Sequence, residues 1–488
     1  MGVRDRGPRV AKLFNAISAE AVRRRLGGFN EQALSNMAWA FATARHTSYE
    51  LFNAISAEAV HRRLGNFEAQ HISNMAWAFA KAGHASPELF KSLSAEAVRR
   101  RLGGFNEQHL SNTAWAFATV DHASAELFNA ISAEMLHRGL GCFHEQALSN
   151  TAWAFATAGH ASAELFNAIS AEAVVHRGLS CFNEQALANT AWAFATAGHK
   201  SAKLFNAISA EAVHRRLGNF EAKHLSTTAW AYATAGHASA ELFNAISAEA
   251  LHRRLSCFTP PDLSNIAWAF ATAGHASPDL FLAISSEVLR LWRLGLGDFE
   301  ERHLSNTAWA FAVADPPCAD ELFGTTIFVT QCALREASFS RKQLSQLHQW
   351  SLWREERGKV WPGLPNSLHE ACRAAFVASE EQLSQLQSDV VQEIRSRGAR
   401  VKEEHRCEIC GYSIDALVTL NNGEQIAVEV DGPWHFVGRS HRPAGSTLLK
   451  HRQLRYFGWH LESVPYWEWD AGGSLGAALV AKLKSGRA

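Results

Sequence analysis

The chain has no excess of charge of either sign: 47 Lys and Arg balance 47 Asp and Glu over 488 residues. No global polycation announces a nucleic-acid partner, although the local arrangement of charge matters more than its sum. Nowhere do eighteen apolar residues run together, which argues against a membrane-spanning helix and any membrane partner. The eight cysteines lack the spacing of a disulfide framework and read as reduced thiols of an intracellular compartment. One CxxC is present, Cys407 to Cys410 with His405 beside it, but no second pair completes a four-ligand zinc site. His435 and His441 would complete one only by accident of fold. Gly-rich loop, HRD and DFG motifs are all missing, so kinase chemistry has no basis.

What is present is repetition. The stretch LSNTAWAFATAGHASAELFNAISAEAVVHRGL at 148–179 has close copies through most of the chain. Trp39, Trp77, Trp115, Trp153, Trp192, Trp230, Trp268 and Trp309 follow one another at intervals of 38, 38, 38, 39, 38, 38 and 41 residues. A fixed period of this length means stacked helix pairs. The second helix of a copy opens at a Ser N-cap, as at Ser86, Ser124 and Ser277, with Pro87 and Pro278 at the first helical position. Gly83, Gly159, Gly198, Gly236 and Gly274 stand where the first helix ends and positive φ is needed. By the same logic Gly27, Gly65, Gly103, Gly141 and Gly218 end the second helix. The histidines His84, His122, His160, His199, His237 and His275, just before the second-helix cap, read as turn residues rather than metal ligands.

Each first helix is numbered from its leading Phe (Phe29, Phe67, Phe105, Phe143, Phe182, Phe220, Phe258, Phe299). Leu or Ile at +5, Ala at +9 and Phe or Tyr at +12 then form a packing stripe about 60° wide. Trp at +10 lies well round from it, suited to packing between repeats or to base stacking. Differences between copies concentrate at +1, +4 and +8. Position +4 holds Ala in some copies and His71, His109, His224, Asp262 or His303 in others. Position +7 is constant, with Asn36, Asn74, Asn112, Asn150, Asn189, Asn265 and Asn306, and Thr227 once. A constant polar row beside a variable one is what a modular reader of a repeating ligand would show, with +4 and +8 as its code. The alternative is that the Asn side chains bridge backbones between repeats. A basic cluster closes each second helix, and Arg24, Arg62, Arg100, Arg138, Arg177, Arg215 and Arg253 form its recurring member. One such charge would satisfy the helix dipole; two or three per repeat would stack into a ladder suited to a phosphate backbone.

The period and the LSNTAWAFA helix resemble the octotricopeptide family of organellar RNA-binding proteins over roughly residues 10–355. That resemblance implies about one nucleotide per repeat and a footprint of about eight to nine.

From about residue 400 the period vanishes. CGYSIDALVTL (410–420) and QIAVEVDG (425–432) alternate as strands around an Asn421-Asn422-Gly423 turn, followed by a basic helix at 447–458 and a strand-like 459–470. YSID, VEVDGPWHF, TLLKHRQLRYFGW and VPYWEW closely resemble the RAP domain, a module of organellar RNA-processing proteins including the FAST-kinase-like family. That domain is similar in turn to PD-(D/E)XK nucleases. The resemblance implies that Asp415, Glu429 and Asp431 converge at a sheet end, where they would hold Mg²⁺, with His435 as base or ligand. Asp431 stands where the nuclease motif has Lys, and Lys450 is the candidate substitute. The same acidic residues also suit salt bridges to Lys450, His451 and Arg452.

The expected architecture is mostly α: a right-handed α-solenoid of helix-pair repeats followed by a small α/β RAP domain of restriction-endonuclease-like type. Its expected parts are a partial repeat or cap at 1–28, eight repeats at 29–338, a degenerate capping repeat and linker helix at 339–398, and the RAP domain at 399–488. The chain begins mid-repeat, and any targeting segment would lie upstream. The expected partner is single-stranded RNA, together with other RNA-processing proteins, contacted through the +7 and +4 residues, the basic cluster, Lys450 and Arg452. The expected compartment is organellar, a mitochondrion or else a chloroplast. No cofactor is expected unless the RAP domain cuts RNA with Mg²⁺. A protein-binding scaffold is the third reading, separable by its lack of steep salt dependence.

Overall fold

A computed structural model describes residues 7–481 apart from 238, 276, 297, 379–383, 421, 439 and 471–478. Residues 1–6 of the expected N-terminal cap, 379–383 of the expected linker helix and Asn421 of the hairpin turn lie outside them. The chain divides into two compact bodies, Met1–Glu211 and Ala212–Ala488.

Both bodies are built from stacked helix pairs. First helices such as Glu31–Thr43, Ala69–Lys81 and Glu107–Thr119 have 13 residues. Helices this short are marginal alone in water, so stacking must hold them. Each first helix packs along the first helix of the next repeat within its body. The +5, +9 and +12 stripe is buried throughout, as Leu34, Ala38 and Phe41 show. The +12 ring meets a second-helix Phe edge-to-face: Phe52 with Phe79 at 4.9 Å, Phe243 with Phe270 at 4.9 Å. Polar side chains register neighbouring repeats. Second-helix Ser56 meets the N-cap Ser86 at 2.6 Å, and Ser247 meets Ser277 at 2.7 Å. The turn histidines bond second-helix asparagines, His84 to Asn53 at 3.0 Å and His275 to Asn244 at 2.9 Å.

The first-helix glycines have positive φ as expected, 66° at Gly83 and 65° at Gly198. The second helix ends differently. Gly27, Gly65, Gly103, Gly141 and Gly218 do not have positive φ; the chain reverses two or so residues earlier. Arg63 and Leu64 (55° and 51°), Arg101 and Leu102 (52° and 55°), Arg216 and Leu217, and Arg254 and Leu255 are all left-handed. Arg25 (50°), Gly139 (74°) and Gly178 (80°) make the turn with one left-handed residue before a 3₁₀ turn. Left-handed backbone costs a side-chain-bearing residue about 1–2 kcal/mol relative to glycine.

Past the last consensus repeat, the capping helix Arg341–Glu356 buries Trp350 and Trp353, and Asn366–Val377 packs beside it. The linker helix Gln385–Ser396 leads to a four-stranded sheet in the order β1-β2-β3-β4. Its strands are β1 (Arg400–Arg406), β2 (Ser413–Thr419), β3 (Gln425–Asp431) and β4 (Leu461–Pro465). The β2–β3 hairpin is antiparallel with Ala416 opposite Val428, and β4 returns parallel to β3 after the helix Gly445–Tyr456. The expected strand at 459–470 is shorter than read: residues Tyr466–Asp470 are helical.

Candidate nucleic-acid interface and carboxylate cluster

On each first helix, the positions left after packing are +3, +7, +10 and +14, one or two turns apart on one face. The Trp rings at +10 form ladders within each body. Trp39, Trp77, Trp115, Trp153 and Trp192 are spaced 6.4, 6.4, 6.5 and 6.1 Å between ring centroids. Trp230, Trp268 and Trp309 continue at 6.3 and 6.3 Å. These rings pack on one another, yet all but Trp309 keep part of their surface in solvent. One turn away, the +7 asparagines are partly exposed. Asn150 and Asn306 accept from Gln146 and Gln346. Asn36, Asn74, Asn112, Asn189 and Asn265 make no side-chain hydrogen bond among the described residues. The bridging role open to this row is therefore not what these five do.

Positions +4 and +8 have other work. His71, His109, His224 and His303 turn Nδ1 back to accept the N-cap N–H at 3.1–3.3 Å, and Asp262 does so through Oδ2 at 3.0 Å. These are capping boxes. Where +4 is Ala, the N-cap side chain carries the cap alone: Asn30, His144 and Asn183 accept from the N–H of Ala33, Ala147 and Ala186. Asp262 and His303 are buried, and Ser226 donates to Asp262. Seven of the eight +8 side chains correct the reading of a surface code: Met75, Thr113, Thr151, Thr190, Thr228, Ile266 and Thr307 are at most 1% exposed, and only Met37 in the first copy is partly exposed. They face the neighbouring first helix, so their variation concerns packing.

The recurring arginine is a staple. Arg100 donates through Nε to Glu96 at 2.5 Å and through Nη2 to the Gly65 carbonyl of the preceding repeat at 2.9 Å. Arg62 reaches Glu58 and Gly27, Arg138 reaches Glu134 and Phe105, Arg177 reaches Glu172 and Gly141, and Arg253 reaches Glu249 and Gly218. These five side chains are 19–23% exposed. Each satisfies loop carbonyls that would otherwise go unpaired, with its charge balanced by the glutamate one turn back. Hydrogen bonds from Arg99 and Arg100 hold Glu96 down to about 2. Arg24 pairs with Glu20 at the surface, and Arg215 is half-buried at the equivalent position.

In the C-terminal sheet, Asp415 on β2 and Glu429 and Asp431 on β3 do come together. Asp415 Oδ2 accepts the Val430 N–H at 2.7 Å. Lys450 Nζ lies 2.5 Å from Glu429 Oε2, whereas Glu429 Oε1 is buried without a hydrogen-bond partner. Burial holds Glu429 well above, and Asp415 above, the usual carboxylate range; Lys450 pulls both the other way. Asp431 feels the same upward push from burial, but hydrogen bonds, led by His435 (Nδ1 at 2.6 Å), bring it well below that range. Ser463 also donates to Asp431, and His451 Nε2 is 3.4 Å away.

A family model described as RNA-editing substrate-binding complex 6 protein matches residues 66–254, and a RAP-domain model matches residues 428–472. The chain is a helical-repeat protein with a C-terminal RAP domain. A chloroplastic RAP domain-containing protein of Oryza sativa subsp. japonica is 32% identical over 92 residues, 19% of this chain and 14% of that protein's length.

The RAP domain uses two of its basic residues on the repeats of its own body. Arg452 pairs with Glu356 at 2.6 Å and donates to the carbonyls of Ala312 and Val313. Arg442 donates to the Ala273 and Gly274 carbonyls at 2.8 and 3.1 Å. Arg452, expected to touch RNA, is thus occupied in docking. The CxxC of the RAP domain is a buried turn between β1 and β2. Cys407 Sγ accepts from Trp459 Nε1 at 3.3 Å, and hydrogen bonds led by that from Cys410 lower its pKa to about 5. No group of three or more His, Cys, Asp and Glu is arranged to hold a metal ion among the described residues. His441 instead stacks on Trp467 at 4.1 Å.

Proposed function

We propose that the chain is a sequence-selective binder of single-stranded RNA acting in the processing, stability or translation of organellar transcripts. One observation carries the reading: the unbonded +7 amides stand one helical turn from a ladder of part-exposed Trp rings. An amide offers both donor and acceptor to a base edge, and indole faces accept any base. Selectivity would come from +3, exposed one turn before the amide in most repeats, where Gln32, Gln70, Gln108, Gln146 and Gln185 give way to Lys223, Pro261 and Arg302. The family matched by the repeats is named for an RNA-editing substrate-binding complex, which supports RNA and protein-complex partners. The chloroplastic RAP relative supports an organelle without separating mitochondrion from chloroplast. No described helix is long and apolar enough to cross a membrane.

The test is selection from random single-stranded RNA with Mg²⁺ present, sequencing bound and cleaved fractions. Enrichment of a motif of about eight to nine nucleotides supports the reading. Binding no better than bulk RNA would leave a protein scaffold.

One observation favours a second reading, a metal-dependent ribonuclease: Lys450 approaches Glu429 beside Asp415, as the lysine of a nuclease centre would. The carboxylates do not fit Mg²⁺ as they stand, because Lys450, the Val430 N–H and His435 already engage them. Cleaved product that disappears in Asp415→Asn would establish this activity.

A further inference from the structure

The staple arginines leave one question about each basic cluster: what is the arginine after the staple for? In the N-terminal body these residues are Arg25, Arg63 and Arg101; in the C-terminal body they are Arg216 and Arg254. All five are exposed, and none has an ion pair or side-chain hydrogen bond among the described residues. All five have left-handed backbone, with φ between 50° and 57°. Two sister repeats hold glycine at the same place, Gly139 after Arg138 and Gly178 after Arg177. Arg25 makes the same turn as those glycines, a single left-handed residue followed by a 3₁₀ turn, Leu26–Gly28 beside Leu140–Cys142 and Leu179–Cys181. Glycine therefore folds this turn without strain. At Arg62, Arg100 and Arg253 the staple already serves the dipole and the loop carbonyls, so fold stability gives no reason to keep the strained arginine that follows.

We infer that Arg25, Arg63, Arg101, Arg216 and Arg254 are phosphate-contacting residues, kept for their side chains against the preference of their backbone. Backbone strain concentrates where function holds it, and a free guanidinium offers a planar fork of donors to a phosphate. The ligand is a polyanionic backbone, taken as single-stranded RNA on the functional reading above. Within the N-terminal body the cation row Arg25, Arg63, Arg101 ends at Gly139 and Gly178, two repeats that lack this contact.

The test uses the full chain, a fluorescent 12-nucleotide single-stranded RNA of random sequence, and binding measured from low to high salt. In the triple variant Arg25→Gly, Arg63→Gly, Arg101→Gly, thermal stability should stay level or rise, since glycine relaxes each turn. The slope of log K against log salt should become shallower by about 2, from about 0.7 per lost phosphate contact. The reciprocal variant, Gly139→Arg with Gly178→Arg, should melt lower and bind with a slope steeper by about 1.4; an added Cβ meets no atom within 4 Å at either site. A triple variant that is less stable would show the arginines to be structural and overturn the inference. An unchanged slope in a folded triple variant would overturn it while leaving RNA binding intact. A wild-type chain that binds no RNA would overturn this assignment and the functional reading together.

Discussion

Lys450 sets its ammonium 2.5 Å from Oε2 of Glu429, a carboxylate 1% exposed, and nothing donates to the other oxygen. Removing the lysine leaves the Glu429 carboxylate, whenever it is ionised, buried without its counterion. Lys450→Met should cost about 3 kcal/mol at neutral pH. A carboxyl whose folded pKa is raised contributes stability below its unfolded value and loses it as pH rises through the folded one. The deficit of Lys450→Met should therefore shrink as pH is lowered and Glu429 takes up a proton. Urea unfolding of both proteins from pH 5 to 8 measures this.

Arg100→Ala removes the charge pair with buried Glu96 and the bonds to carbonyls of the preceding repeat. We expect a loss of about 2–3 kcal/mol in unfolding free energy. Its RNA salt slope should match that of the wild type, because the staple's guanidinium is already engaged.

At +4, Asp262→Ala should cost about 1–2 kcal/mol, the value of a helix cap together with the bond from Ser226. The RNA motif selected by the folded variant should be unchanged. A changed base at one motif position would return +4 to the role of a code.

His348 is buried against the CxxC turn, with Nε2 2.9 Å from the Cys410 carbonyl, and burial lowers its pKa to about 4. Unfolded, it would take up a proton near its ordinary value. Between the two values the unfolded state binds more protons, so stability falls as pH drops from 6.5 toward 4, by about 3 kcal/mol when complete. Chemical denaturation should show a weaker acid dependence in His348→Gln.

Gly445 begins the RAP helix, and a Cβ there would press into the Ala271 carbonyl of a repeat. Backbone cannot yield as a flexible side chain would. Gly445→Ala should destabilise the RAP-bearing body by about 1–3 kcal/mol, seen as increased hydrogen exchange along that helix.

The helix pairs and the packing stripe were legible because Leu34, Ala38 and Phe41 repeat at helical spacing in every copy. The roles of +4 and +8 were not. Variation marks tolerance, and several cap chemistries serve +4 equally while Met, Thr and Ile all fill the buried +8 site. The staple arginine and its exposed neighbour look identical in sequence, since their difference lies in which one reaches the preceding loop. The replacement of that neighbour by Gly139 and Gly178 was the available signal. Strand β1 escaped notice because RVKEEHR, an edge strand with little buried surface, has no apolar alternation. The salt bridge of Lys450 to the acidic cluster was legible, but which of the three carboxylates it takes was not, since that choice of Glu429 rests on how the helix docks on β3.

Arg442 and Arg452 grip the carbonyls at the carboxyl ends of two successive first helices of the array. The RAP domain is in this sense also the bung of the array. Removing residues 399 onward would uncork those carbonyls and bare Leu352, which packs among Cys407, Tyr412 and Leu454, so a shortened protein that fails to act would report a frayed array as readily as a missing RNA contact. Point changes on the RAP surface that leave Arg442, Gly445 and Arg452 untouched keep the two apart.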